Sequence, residues 1–289
     1  MLVGIPNFNR PKEKPQNIIA GRSREDICYS VRHWSENVLG APAPVIAMPF
    51  AEGAGETCYN YGAVRKQPSP VGPAYQKWSG NHYSFGDTGY DENYISFGNE
   101  SGLVPTSELT AFGVYYHTGL SSSPYAPVIR KNSVFAMDLL NRVTLRALIK
   151  TTGGTDAWTG ANDQTITFDY NPHSVAIAWD GDGIDMYQDG SLKGVKPCSG
   201  AVVSNSSIVT VGGNDYSSCY NIKGPGGSGG LYNFLFWHYG LAQSQIEFLE
   251  EHPYGMYVPI KRPLYFFIGV YAEAPPEYDP RTSSFFLVM

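Results

Sequence analysis

Charge is scarce in this chain. Only 16% of its 289 residues are Asp, Glu, Lys or Arg, and the formal net charge is −6. No run of Lys or Arg is longer than two. Neutralising a phosphate backbone needs a basic face, so nucleic acid is not an expected partner. Long apolar runs are missing too. No stretch approaches the ~20 residues that span a bilayer, so no membrane association is expected. The opening residues, MLVGIPNFNRPKEKP, lack the basic start and apolar core of an export signal. Synthesis in a cytoplasm, without export through a signal-peptide route, is the expectation.

Cysteine is also sparse: Cys28, Cys58, Cys198 and Cys219. None forms a CxxC pair, and no His stands at a zinc-ligand spacing from a pair. Cys198 and Cys219 flank residues 206–213 and could be bridged, but reduced thiols are the expectation without an export signal. Catalytic patterns are absent as well. A glycan-cleaving sandwich would carry two carboxylates facing one side of a strand, about 5 to 9 Å apart. Asp180, Asp182 and Asp185 come nearest, but glycine neighbours place Asp180 and Asp182 in a turn. GGSGG (226–230) lacks the strand-to-helix elbow of a serine nucleophile. KGPGGSGG (223–230) lacks the Lys-Ser/Thr of a phosphate loop. The chain is expected to be non-enzymatic.

Glycine (32), proline (21) and tyrosine (21) are abundant, a profile of short strands and turns. HSVAIAWDGDGIDMYQDG (173–190) reads as two strands joined by an Asp-Gly-Asp-Gly turn and closed by a second Asp-Gly turn. Asp-Gly supplies the positive φ that tight hairpins require. Strands are also expected at 45–50, 82–85, 94–97, 108–117, 128–130, 133–138, 144–150, 165–169, 208–211 and 230–238. In 108–117, Leu109, Phe112, Val114 and Tyr116 are the candidates for burial. About a dozen strands without intervening helices argue for two packed antiparallel sheets. Two short helices are expected. Residues 23–39 place Ser23 as N-cap before Glu25 and Asp26, with Ile27, Val31 and Trp34 on one side. Residues 244–251 (SQIEFLEE) carry a capping box of Ser244 and Glu247 and stop at His252-Pro253.

The 173–190 element, together with GLYNFLFWHYGLAQSQIEFLEEHPYG (230–255), resembles the laminin-G-like and concanavalin-A-like jelly-roll domains. VIAMPF followed by AEGAGE (45–56) is similar to the opening of that family, although CYNYG (58–62) replaces the usual Asp-x-Ser-Gly. The ending WHYGLAQSQIEFLEEHPYGMYVP (237–259) is similar to the close of such domains in bacteriophage virion proteins. The resemblance implies an all-β, concanavalin-A-like (laminin-G-like) antiparallel β-sandwich jelly roll. Its expected divisions are an N-terminal arm at 1–44, the sandwich at 45–256 and a C-terminal extension at 257–289. It implies a structural protein of the virion, assembled in the host cytoplasm. Capsid decoration at the head surface is the first expectation, and a tail or fibre component the second. The major capsid protein and copies of itself would be the partners. The alternative is a lectin-like module that binds surface polysaccharide.

The candidate residues follow from these readings. Lectin-type sandwiches hold Ca²⁺ on loop oxygens, which nominates Asp87, Asp91 and Asn93, with Asn214 and Asp215 as a further pair. No other cofactor is expected. A glycan site needs an aromatic face with amide or carboxylate neighbours, which nominates Trp158 with Asp156, Asn162 and Asp163, and Tyr216. An exposed apolar tail would be an aggregation hazard, so Leu264, Tyr265, Phe266 and Phe267 are assembly candidates, as are Phe285, Phe286 and Leu287.

Overall fold

A computed structural model describes residues 18–52, 58–71, 77–79, 82–85, 94–117, 126–140, 144–152, 160–166, 171–213 and 229–260. The chain divides into two compact units, Met1–Val258 and Pro259–Met289. Only Pro259 and Ile260 of the second are among the described residues. The assembly candidates between Leu264 and Leu287 therefore lie outside them.

The first unit begins with α1 (Arg24–Trp34), which runs on into a π-helical turn, Ser35–Leu39. The strands follow as β1 (Ile46–Met48), β2 (Ser69–Val71), β3 (Lys77–Ser79), β4 (His82–Ser84) and β5 (Tyr94–Gly98). Next come β6 (Leu109–His117), β7 (Ala126–Lys131), β8 (Phe135–Leu140), β9 (Thr144–Ile149) and β10 (Gly160–Thr165). The last are β11 (His173–Trp179), β12 (Gly183–Gln188), β13 (Ser191–Pro197), β14 (Val209–Val211) and β15 (Gly229–Trp237), before α2 (Gln243–Glu251). Among the described residues they form two antiparallel sheets. The first has eight strands, in the order β13-β12-β11-β6-β15-β4-β3 with β1 also paired to β15. The second has seven, in the order β10-β9-β8-β7-β14-β5-β2. The architecture is the expected antiparallel β-sandwich jelly roll.

The core lies between the sheets. Ile46, Leu109, Val175, Ile177, Phe234 and Phe236 of the first sheet meet Ile95, Val128, Phe135, Met137, Val209 and Val211 of the second. The Phe135 and Phe236 rings stack across the gap with centroids 5.4 Å apart. A second apolar layer covers the other face of the first sheet. Ala47, Phe112, Val114, Ala176, Ala178, Leu235 and Trp237 share it with Ile27, Val31 and Trp34 of α1 and Ile246 and Leu249 of α2. Strands covered on both faces read as continuous apolar runs, as VAIAW and FLFW do. The small side chains of Ala176 and Ala178 leave room for the helices. The register therefore splits one expected set. Leu109 points into the sandwich, while Phe112 and Val114 point to the helices. These residues are three and two positions apart, so strand alternation could not put all of them on one face.

The helices are fixed by specific contacts. Ser23 Oγ accepts the Asp26 N–H at 3.1 Å, the expected cap of α1. Arg22 donates to the Tyr257 and Asp26 carbonyls and to Ser30 Oγ, tying the start of α1 to the turn Gly255–Tyr257. Trp237 Nε1 donates to the Pro42 carbonyl at 3.0 Å. Residues 18–44 thus lie on the first unit's own sheet. The cap of α2 sits two residues earlier than expected. Ala242 is its N-cap, and the Ala242 N–H donates to Gln245 Oε1 at 2.9 Å. Glu247 instead accepts from the Gln243 side chain at 2.8 Å.

Two strands escape the alternation rule. β13 (SLKGVKP) is an edge strand, mostly exposed, and its lysines and proline discourage further pairing. It is specified by the hairpin turn before it, where Asp189 and Gly190 have φ of 53° and 74°. β10 (GANDQT) is the polar edge of the second sheet and begins five residues before the expected strand at 165–169. The other Asp-Gly turn forms as expected, with Asp180 Oδ1 accepting the Asp182 and Gly183 N–H groups at 3.0 and 2.9 Å.

Candidate functional site

A short loop after β1 carries the most distinctive surface of the described residues. Asn60, fully buried, organises it. Its Oδ1 accepts the Ala47 and Gly62 N–H groups, both at 2.9 Å, and its Nδ2 donates to the Val64 carbonyl at 2.8 Å. The Tyr61 N–H donates to the Ala47 carbonyl at 2.9 Å, so the loop lies along β1. Gly62 is required there, because a Cβ would fall 2.5 Å from the Val45 carbonyl oxygen. With Asn60 turned inward, Tyr59 and Tyr61 stand on either side of it. Their ring centroids are 6.3 Å apart and their planes are tilted by 48°. Tyr59 is 39% exposed.

Opposite the loop lies α1, and between them runs a groove with two adjoining lobes of about 660 and 500 Å³. Both are within the ordinary range of ligand sites. Arg24 and Tyr61 line both lobes. The larger lobe adds Glu25, Cys28, Arg32, Glu36 and Arg65, while the smaller adds Ile19, Arg22, Glu52 and Tyr59. Arg32 is paired to Glu36 at 3.0 Å, and Glu52 accepts the Tyr59 N–H at 3.1 Å. Arg24 Nη2 donates to the Asn60 carbonyl at 3.3 Å, and its Nε is buried without a hydrogen-bond partner. Burial pushes the Cys28 thiol above its ordinary pKa, with Arg24 opposing the rise. Burial also pushes the Tyr61 hydroxyl up, assisted by Glu52, so it stays protonated and can donate.

The groove presents the Tyr59 ring, hydroxyl and guanidinium donors, and carboxylate acceptors. Two sequence signals lie in it: CYNYG, where the resembling family carries a different pattern, and Arg22-x-Arg24 at the helix start, which the sequence alone does not single out. Neither was a nominated site, because the inward turn of Asn60 and the position of α1 are tertiary facts.

Of the nominated glycan residues only Asn162 and Asp163 are among the described residues. Asn162 and Asp163 lie in strand β10, paired with Ala147 and Arg146, where a loop was expected. Their stretch lacks the apolar alternation that marks a strand, and its pairing to β9 supplies the order. Trp158, Asp156 and Tyr216 lie outside the described residues, as do Asp87, Asp91, Asn93, Asn214 and Asp215. Among the described residues no group of three or more His, Cys, Asp or Glu side chains could hold a metal ion. No described helix is long and apolar enough to cross a membrane. The thiols of Cys28, Cys58 and Cys198 are free, so Cys198 makes no bridge.

No protein-family model matches the chain, and no curated protein matches it. Solved structures do. One is of botulinum neurotoxin type C, a toxin whose passage into cells depends on interaction with two ganglioside molecules. It aligns with a TM-score of 0.53 and 13% identity, over 74% of this chain and 51% of that one. The botulinum neurotoxin serotype D/C VPI 5993 binding domain aligns with a TM-score of 0.51 and 13% identity, over 72% and 51%. The binding domain of Paraclostridial Mosquitocidal Protein 1 gives 0.50 and 10%, over 72% and 52%. The chain spans about half the length of these structures. At such identity the likeness is one of fold.

Proposed function

We propose that this protein is a non-catalytic saccharide-recognition module. The observation that carries the reading is the groove between α1 and residues 58–65, which Tyr59 lines together with Arg24, whose Nε has no hydrogen-bond partner. Aromatic faces take the C–H side of a sugar ring, and charged or amide groups fix its hydroxyls. The fold supports the reading by analogy, since binding domains of toxins share it, one of them from a ganglioside-dependent toxin. Fold alone does not give function. A virion role has no comparable observation behind it among the described residues or the similar structures.

The test is saccharide binding by the full chain on a glycan array, followed by calorimetry on the hits. Tyr59→Ala is expected to weaken binding about tenfold, the scale of a lost aromatic contact, with an unchanged melting temperature. Loss of binding in Trp158→Ala but not in Tyr59→Ala would move the site to the loop around Trp158. A clean array would remove the reading.

A further inference from the structure

Arg24 lines both lobes of the groove. The other groove cations differ in how far they are committed. Arg22 is engaged by two carbonyls and a hydroxyl, and Arg32 by Glu36. Arg65 is exposed on the rim of the larger lobe. Arg24 makes one long bond to a backbone carbonyl, and its buried Nε has no acceptor. A buried donor left unmet costs free energy, and an ionic acceptor recovers more than a neutral one. Glu36 is matched by Arg32, which leaves Glu25 facing Arg24 and Arg65 in the larger lobe. That lobe keeps a positive excess in a chain whose net charge is −6.

We infer that the ligand of this groove is an acidic saccharide, its carboxylate or sulfate seated on Arg24 with Arg65 at the rim and an adjoining sugar ring against Tyr59. The inference rests on the saccharide reading and adds the ligand's charge. Arg24 accepts such a group in the planar, two-pronged way that guanidinium allows. The neighbouring thiol gives a local reporter when modification is read at Cys28 itself by peptide mass spectrometry, because Cys28 lines the same lobe and is partly exposed, whereas Cys58 and Cys198, the other described cysteines, are buried.

Calorimetry on the full chain with three oligosaccharide series of equal length tests this. Oligogalacturonate supplies the carboxylate, a sulfated galactan the sulfate, and an uncharged galactan the control. At least one acidic series is expected to bind about tenfold more tightly than the neutral one. That advantage should shrink as salt rises, and whichever acid binds identifies the anion. Arg24→Gln should bring the acidic ligand down to the neutral value, and Arg24→Lys should restore part of the difference. Alkylation of Cys28 by iodoacetamide should slow with the acidic ligand bound. Equal binding of neutral and acidic series, or an acid preference that survives Arg24→Gln in a protein that melts normally, overturns the inference and leaves the saccharide reading standing. Binding of none of the three, with neutral glycans bound on the array, overturns the inference alone, whereas a clean array overturns both.

Discussion

The two sheets of the sandwich treat their outer faces in opposite ways. The first sheet's outer face is apolar, with Phe112, Val114, Ala176, Ala178, Leu235 and Trp237, and it is roofed by α1 and α2. The second sheet's outer face carries an ion pair. Arg130 Nη1 meets Asp138 Oδ2 at 3.1 Å, with Asp138 fully buried and Arg130 nearly so, and Thr210 lies close by. The charged groups of this face are shielded from water, Asp138 completely. The apolar face of the first sheet is covered by the helices, and that cover has a rim. The candidate groove is that rim, the line where α1 meets the loop lying along β1. The proposed binding site thus lies at the edge of the cover over the apolar face.

The sharpest way to break this comparison is to detach the roof. Trp34 is buried beneath α1, stacked on Phe248 of α2 at 5.7 Å and closely approached by Gly255. Trp34→Ala is expected to cost about 3–5 kcal/mol, the range for deleting a large buried aromatic. Urea unfolding would measure it, and saccharide binding should fall at the same time. A loss below about 1 kcal/mol would mean that the helices merely decorate the face.

The opposite face gives the next largest effect. Asp138→Ala removes the carboxylate that Arg130 meets at 3.1 Å and is expected to cost about 3 kcal/mol. The double change Arg130→Met with Asp138→Leu should cost much less, since a buried pair can be replaced by apolar side chains of similar size. Groove binding should be untouched in both. If the double variant is as unstable as Asp138→Ala, the ion pair itself is what this buried position requires.

The sandwich was legible in the sequence where the physics is local. The Asp-Gly turns, the Ser23 cap and the apolar strands each announce themselves within a few residues. The roof was only half legible. Ile27, Val31 and Trp34 declare an apolar helix face, but not the sheet it covers. The doubly buried strands hinted at a second layer through their continuous apolar runs, yet a single burial set joined Leu109 to Phe112, which alternation separates. The groove was the least legible part. It depends on a polar residue, Asn60, being more deeply buried than its aromatic neighbour Tyr59, which reverses the usual ranking of side chains.

Asn60 therefore tests whether the groove belongs to the roofed face. Asn60→Ala removes the acceptor of the Ala47 and Gly62 N–H groups and the donor to the Val64 carbonyl. Buried polar groups left unmet in this way make a stability loss of about 2 kcal/mol the expectation. The diagnostic readout is binding. If the loop sets the groove, affinity falls further than in Tyr59→Ala. If affinity is unchanged, the ligand does not use residues 58–65.

The smallest effect belongs to neither face and calibrates the others. Asp180 closes the turn between β11 and β12, and the N–H groups of Asp182 and Gly183 hold its carboxyl below the ordinary value of 3.8. A carboxyl depressed in the folded state favours folding fully above its unfolded pKa. That contribution is lost as pH falls from about 3.8 through the folded value. Asp180→Asn keeps an oxygen for both N–H groups and cannot titrate. Thermal melts from pH 6 down to pH 2 should therefore show the wild type ahead at the upper end and the two curves converging in acid. Asp180 is exposed, so the gap should be small. Parallel curves would mean that the turn is held by its backbone geometry, with Gly181 at a φ of 97°, and that the charge on Asp180 contributes nothing.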